Sequence, residues 1–302
     1  MSAEAAAPLG RPQADVDGLP VGSQRSRVLG RFAHHRFAMA GAIALAVICV
    51  LVILAPVIGR VNPNAVNLFA ESRPPSGAHW LGTDTEGRDI LSRTLYGGRV
   101  SLEVGIVAML ISMSVGTVLG GLSGFFRGAA DWVIMRFTDV AMTFPPIVIM
   151  LTVAAIVGPG LWNSILIVGL LGWPIPARLV RSRILSVREQ EFIEASRALG
   201  ASRWRTLFRQ ALPNAVDVIV VAGTLAVANS ILLVAGMSFL GLGVQPPTAS
   251  WGNLVSAANE LNVLLDYPWQ WIPAAVGIIL TVLAINLIGD GLRDALDPRA
   301  LV

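Results

Sequence analysis

Glutamate, serine and arginine crowd one stretch of an otherwise apolar chain, Glu191-Phe-Ile-Glu-Ala-Ser-Arg-Ala-Leu-Gly200, and an arginine-studded segment follows it to Leu212-Pro213. Carboxylates and hydroxyls of this kind suit acid–base or nucleophilic chemistry, but the partners such chemistry needs are missing. No HExxH motif and no Ser/His/Asp set can be assembled, because His34, His35 and His79 lie outside the apolar segments. Three scattered histidines do not make a metal site. The single cysteine, Cys49, excludes an intrachain disulfide and a cysteine metal site, and its apolar run suits a buried, inert thiol. All 22 basic residues are arginine, so no P-loop lysine exists to reach nucleotide phosphates. Contact rather than catalysis is the expected use: a polar interruption between apolar segments presents itself to a partner.

The elements that must position this stretch are membrane spans. The 302 residues are 54% hydrophobic and 14% charged, with a mean hydropathy of +0.68. A soluble domain of this size needs more charge to cover its surface. The net charge of +3 and a pI near 9.9 do not indicate nucleic acid, since the arginines flank apolar runs as topology signals. Six runs approach the roughly 20 apolar residues a spanning helix needs. They are Phe37–Ile58, Val104–Leu122, Val133–Val157, Leu161–Val180, Val216–Val244 and Ile272–Ile288. Residues 1–36 read as a mobile tail. The first run is too long for a signal peptide and no small-x-small cleavage site follows it, so a retained span is expected. Pro145-Pro146, Pro174 and Pro176 should bend the third and fourth spans, as packing kinks or as a gating hinge.

With the N-terminus inside, seventeen arginines fall on the inner side and five, Arg60, Arg73, Arg88, Arg93 and Arg99, on the outer. The positive-inside rule then gives an all-α membrane protein of six spans with both ends in the cytoplasm. The expected division is a tail over 1–36, a first span over 37–58, an extracytoplasmic loop over 59–103, a core with five spans over 104–292 and a tail over 293–302. Within the core, 181–215 forms a cytoplasmic loop. Asp139, Asp217 and Glu103 fall only near predicted span ends, and Asp217 suits a cap at the start of the fifth. Such scarcity of intramembrane acids argues against a self-powered, ion-coupled transporter.

Inside that loop the local signals describe an elbow. Phe192, Ala195 and Leu199 recur at i, i+3, i+7 and give a short helix a narrow apolar face, with Glu194 and Arg197 on its polar side. Gly200 suits the left-handed position after a helix, and Ser202 suits the cap of the next. Trp204, Leu207, Phe208, Ala211 and Leu212 then form a second stripe, which Pro213 interrupts. A membrane-surface anchor accounts for the second helix. The small Ala195-Ser196 surface of the first suits docking, and pattern alone leaves docking and anchoring equally open.

These same residues carry a resemblance. Glu194-Ala195-Ser196, Gly200 and Leu212-Pro213 resemble the EAA motif of ABC-importer permeases, with Ser196 in place of an alanine and Gln210 in place of an isoleucine. The segment from His79 to Leu102 resembles the signature ahead of the second span in the C-type permease of oligopeptide and dipeptide importers. Ser238–Gly243, Pro246-Pro247, Trp251-Gly252 and the stretch from Gly289 to Arg299 resemble the same subfamily. The resemblance covers roughly residues 30–302.

It implies a type I ABC importer permease fold in a bacterial inner membrane and a non-catalytic subunit that binds no cofactor itself. The implied partners are a homologous second permease, two cytoplasmic ATPase domains that bind ATP and Mg, and an extracytoplasmic substrate-binding protein. It also implies that Phe192, Glu194, Ala195, Ser196, Leu199, Gly200, Leu212 and Pro213 couple the chain to the ATPases. Peptides are the favoured substrate, with nickel chelates and glutathione-like solutes as alternatives. A secondary transporter, a membrane enzyme and a structural anchor are the rival classes.

Two outer features have their own local reading. Asp84 or Thr85 could cap a short helix running through Tyr96, with Asp89 and Arg93 paired at i, i+4. That helix would steady the second span or meet a docked binding protein. Trp162, Trp251, Trp269 and Trp271 fall near predicted outer ends, as in an aromatic interface belt.

Overall fold

The computed structural model describes residues 30–59 and 61–296, so the expected N-terminal tail, apart from its last residues, and the segment 297–302 lie outside the described residues. Helix α1 (Arg36–Ile53) is followed by a single turn, a long loop, and α2 (Ile90–Phe126). The bent pair α3 (Gly128–Thr143) and α4 (Pro146–Val157) comes next, then α5 (Leu161–Leu171) and α6 (Pro174–Arg188). The elbow holds α7 (Glu191–Ala198) and α8 (Arg203–Thr206), and α9 (Val216–Phe239) leaves it. Two short helices, α10 (Trp251–Val255) and α11 (Leu261–Asp266), precede α12 (Ile272–Leu296). Five stretches are long and apolar enough to cross a membrane, and α3–α4 makes a sixth if that pair counts as one span.

Prolines set the breaks where the sequence placed them, though the third expected span bends harder than a kink. Phe144, held extended ahead of Pro145, ends α3, Pro146 starts α4, and the two helices meet at 84°. Pro174 starts α6 after a break at Gly172-Trp173 in the fourth span, which runs to Arg188 rather than Val180.

The second span differs most from expectation. Helix α2 has 37 residues and begins at Ile90, capped by Asp89, whose carboxylate accepts from Ser92 N at 2.8 Å. At 1.5 Å per residue it is about 55 Å long, against about 30 Å of hydrocarbon. The helix is therefore longer than the hydrocarbon is thick and extends beyond it. Asp84 is not a helix cap; it accepts from Arg88 Nε at 2.7 Å and lies 3.5 Å from Arg93 Nε, while Asp89 pairs with His79. Arg99 reaches 2.8 Å to the Val52 carbonyl and 2.7 Å to that of Ile53, closing the end of α1. The 79–102 signature is thus a clasp that holds the loop ahead of α2, and α1, onto α2.

The tryptophans are also used differently. Trp251 is buried, its indole donating to the Thr94 carbonyl at 2.9 Å, and Trp269 donates to the Thr83 carbonyl. Both pin segments distant in sequence together, whereas Trp162 is exposed.

Helix α2 is the axis of the bundle, packed against α5, α6 and α9. Gly116, Gly120 and Gly124 make its contact stripe with α6. A Cβ at Gly120 would sit 2.3 Å from the Ala177 carbonyl oxygen, and one at Gly124 would sit 2.8 Å from that of Arg181. The missing side chains let the two backbones approach, as small residues do between helices in lipid. This contact fixes the far end of α6, and with it the start of the elbow.

Candidate functional site

A buried cluster where α2 and α6 end is the foundation of the elbow. It comprises Phe125, Val180, Ile184, Val187, Ile193, Leu207, Ala211 and Ala215. Ile193 is fully buried there and is the side chain by which α7 grips the bundle. Burying it contributes about 1.5–3 kcal/mol. Ion pairs surround the cluster. Arg181 grips Asp131 of α3 with two parallel hydrogen bonds of 2.6 and 2.7 Å, and Ser123 also donates to Asp131. Arg183 donates to Asp217 at 2.7 Å, so Asp217 ties α9 to α6 instead of capping α9. Arg127 pairs with Glu189 at 2.6 Å, and Arg188 donates to the Phe125 carbonyl at 2.8 Å.

The turn after α7 follows from its residue types. Gly200 has φ of +81°, its N–H bonds the Arg197 carbonyl at 3.0 Å, and the Ala201 N–H bonds the Ser196 carbonyl at 3.1 Å. These are the two bonds of a Schellman motif. Ser202 caps α8 by accepting from Arg205 N. Residues Leu207–Ala211 then widen into a π-turn, with Leu212 N bonded to the Leu207 carbonyl at 2.9 Å. Pro213, which has no N–H to give, opens the next turn. The loop proper spans 189–215, shorter than expected, because α6 persists to Arg188.

The structure divides the eight expected site residues into two groups. Phe192, Glu194, Ala195, Leu199 and Gly200 are exposed, Leu199 at 89%. Ser196 and Leu212 are half-buried and belong to the frame, Leu212 against Gly121 of α2, while Pro213 is exposed and opens the turn that leads into α9. The apolar stripe Phe192/Ala195/Leu199 faces outward, away from Ile193. That apolar face is left uncovered by the rest of the described chain.

Two residues were missed by sequence reasoning. Ile193 shows no periodic signal in an eight-residue helix. Gln210 donates through Nε2 to Ser196 Oγ at 2.8 Å, across fourteen positions of chain. The two departures from the EAA pattern, Ser196 and Gln210, therefore bond each other and brace α7 against the π-turn. A serine facing a glutamine at those two positions was the available signal.

Known proteins resemble this chain in sequence and in fold. Residues 116–302 match the family model described as binding-protein-dependent transport system inner membrane component. Residues 23–75 match that of the N-terminal TM domain of oligopeptide transport permease C. The chain is 39% identical over 269 residues to the oligopeptide transport system permease protein of Bacillus subtilis strain 168, covering 89% of this chain and 88% of that one. It is 47% identical over 225 residues to the glutathione transport system permease protein of Pectobacterium atrosepticum, 74% of each chain. Among solved structures it resembles a chain of the MetNI methionine ABC transporter, with a TM-score of 0.56 and 21% identity, over 68% of this chain and 97% of that chain.

Proposed function

Since this chain belongs to the family of inner membrane components of binding-protein-dependent transport systems, we propose that it is a permease subunit of an ATP-driven importer of di- and oligopeptides. In this reading a homologous permease completes the pathway, two ATPase domains dock on the elbow, and an extracytoplasmic binding protein delivers the substrate. The elbow and both chain ends face the cytoplasm, in keeping with the arginine bias. ATP and Mg sit in the partner ATPases, and hydrolysis occurs there.

The observation that carries the proposal is the outward apolar face of α7 on a rigid mount. Phe192, Ala195 and Leu199 form the docking face, Glu194 supplies a polar contact, and Gly200 ends the helix. Closure of the ATPase pair pushes on that face. Ile193, the Ser196–Gln210 bond and the Arg188–Phe125 bond pass the push to α6 and α2. The spans then exchange between two packed arrangements, biased by nucleotide. Peptide as the cargo rests on relatives such as the oligopeptide permease. Similarity to a glutathione permease supports a second reading in which small peptide-like thiols are carried.

The test is purification of tagged chain from its native membrane in mild detergent, with mass spectrometry of what accompanies it. Recovery of a Walker-motif ATPase and a second multi-span permease, both lost in a Glu194/Gly200 double variant, is the expected result. Recovery of the chain alone, in several detergents and after crosslinking, contradicts the proposal.

A further inference from the structure

Beside the elbow lies a cavity of about 360 Å³ lined by Phe125, Phe126, Arg188, Arg197, Ala201 and Arg203. Its volume falls within the roughly 300–1,000 Å³ of small-ligand sites. Three guanidiniums line it. Arg188 is held by the Phe125 carbonyl at 2.8 Å, and Arg197 lies over the Phe125 ring at 5.2 Å. Among the described residues neither Arg188, Arg197 nor Arg203 has a carboxylate partner; Glu189, next to Arg188 in sequence, pairs with Arg127. Arg188 feels the repulsion of Arg197, Arg127 and Arg203, which neighbouring Glu189 only partly offsets, and like charges held this close suit an anion.

We propose that this cavity binds the phosphate of an anionic phospholipid headgroup. Guanidinium forks match phosphate oxygens geometrically and are less hydrated than ammonium groups. The walls identify the rest of the ligand. Phe126 contacts Trp204 at 5.0 Å between ring centroids, and Trp204 stacks on Phe208 at 6.0 Å. Trp204 is 56% and Phe208 50% exposed, so an open aromatic strip leads away from the charged cavity. A polar cavity continuous with an apolar strip fits an amphiphile better than free phosphate. The site also lies where spans α2 and α6 end, and in the proposed orientation arginines there meet the negative potential of the cytoplasmic leaflet. Arg197 stands one turn after buried Ile193, on the bundle side of α7, so a partner docked on Phe192, Ala195 and Leu199 approaches from the other side. The inference uses the proposed orientation only to choose the leaflet.

Native mass spectrometry of the intact transporter in neutral detergent tests this, with phosphatidylglycerol and phosphatidylcholine as probes in separate titrations. Retention of phosphatidylglycerol over phosphatidylcholine is expected, undiminished by millimolar inorganic phosphate. R197Q/R203Q should weaken it about thirtyfold, given the attraction of each cation to an anionic headgroup, with the co-purifying subunits unchanged. Should the double variant fail to assemble, R203Q alone, at an exposed side chain with no hydrogen-bond partner among the described residues, should weaken retention about fivefold. Equal retention of the two lipids, or retention indifferent to the arginines, overturns the proposal. Displacement by phosphate assigns the site to the free ion and overturns the lipid assignment. Loss of a partner subunit from the variants with lipid retention intact shows that the arginines meet protein instead.

Discussion

Replacing Gly200 separates two reasons for a glycine in the elbow, backbone conformation and room for a partner. The residue sits at φ +81°, and a Cβ built there meets nothing within 4 Å. Within the chain, then, the demand is conformational. Alanine fits the space but carries the left-handed penalty of about 1–2 kcal/mol, enough to shift the balance between bent and frayed elbow by about 5- to 30-fold. Asparagine is larger yet tolerates this region, and costs less. Proline fixes φ near −65° and removes the N–H that bonds Arg197, so it costs about 3 kcal/mol or more. The assay is substrate taken up per ATP hydrolysed by the complete transporter in proteoliposomes, at matched permease abundance. The expected order of coupling is glycine, asparagine, alanine, then proline, the last with hydrolysis uncoupled from uptake. If asparagine couples worse than alanine, side-chain size against a partner governs the position and the conformational account fails.

Further outcomes follow from the same frame. Ser196→Ala should cost about 1–3 kcal/mol, because the Gln210 amide loses its partner while its Oε1 is already buried without one. A double-mutant cycle on thermal stability with Gln210→Leu should recover much of this loss; strictly additive losses would show that the bond is not a brace. Ile193→Ala should destabilise the chain by about 2–5 kcal/mol in thermal unfolding, whereas Leu199→Ala should leave unfolding unchanged and lower only coupling. Equal effects of the two would deny the division between buried and exposed faces. Gly120→Ala drives a Cβ into the Ala177 backbone and should cost about 1–3 kcal/mol, read as a lower melting temperature of the purified transporter. Unaltered melting would mean that α2 and α6 part freely.

Much of this architecture is legible in residue types because membrane insertion imposes long apolar runs. The break at Pro145-Pro146, the left-handed Gly200 and the Ser202 cap are local signals, and each appears in the structure. Contacts between distant segments are not legible. The extension of α2 back to Ile90 passes through Gly97 and Gly98, poor helix formers that pack against Ser250 and Trp251 of a later segment. The stripe Phe192/Ala195/Leu199 has the same period whether it faces the bundle or solvent; burial of Ile193 against α2, α6 and the π-turn decides which. Tryptophans near a predicted membrane boundary look alike in sequence whether they stay exposed, as Trp162 does, or staple segments together, as Trp251 does. The Asp131–Arg181 pair spans fifty positions and leaves no periodic trace.

The most direct test of coupling through the outer face of α7 is site-specific photocrosslinking in native membranes, with a photoreactive amino acid at Leu199, Ala195 or Ile193 in turn. The account predicts covalent capture of a nucleotide-binding ATPase subunit from positions 199 and 195, and none from position 193, which is fully buried. Capture of lipid alone from position 199, or equal capture of the ATPase from all three, would contradict it.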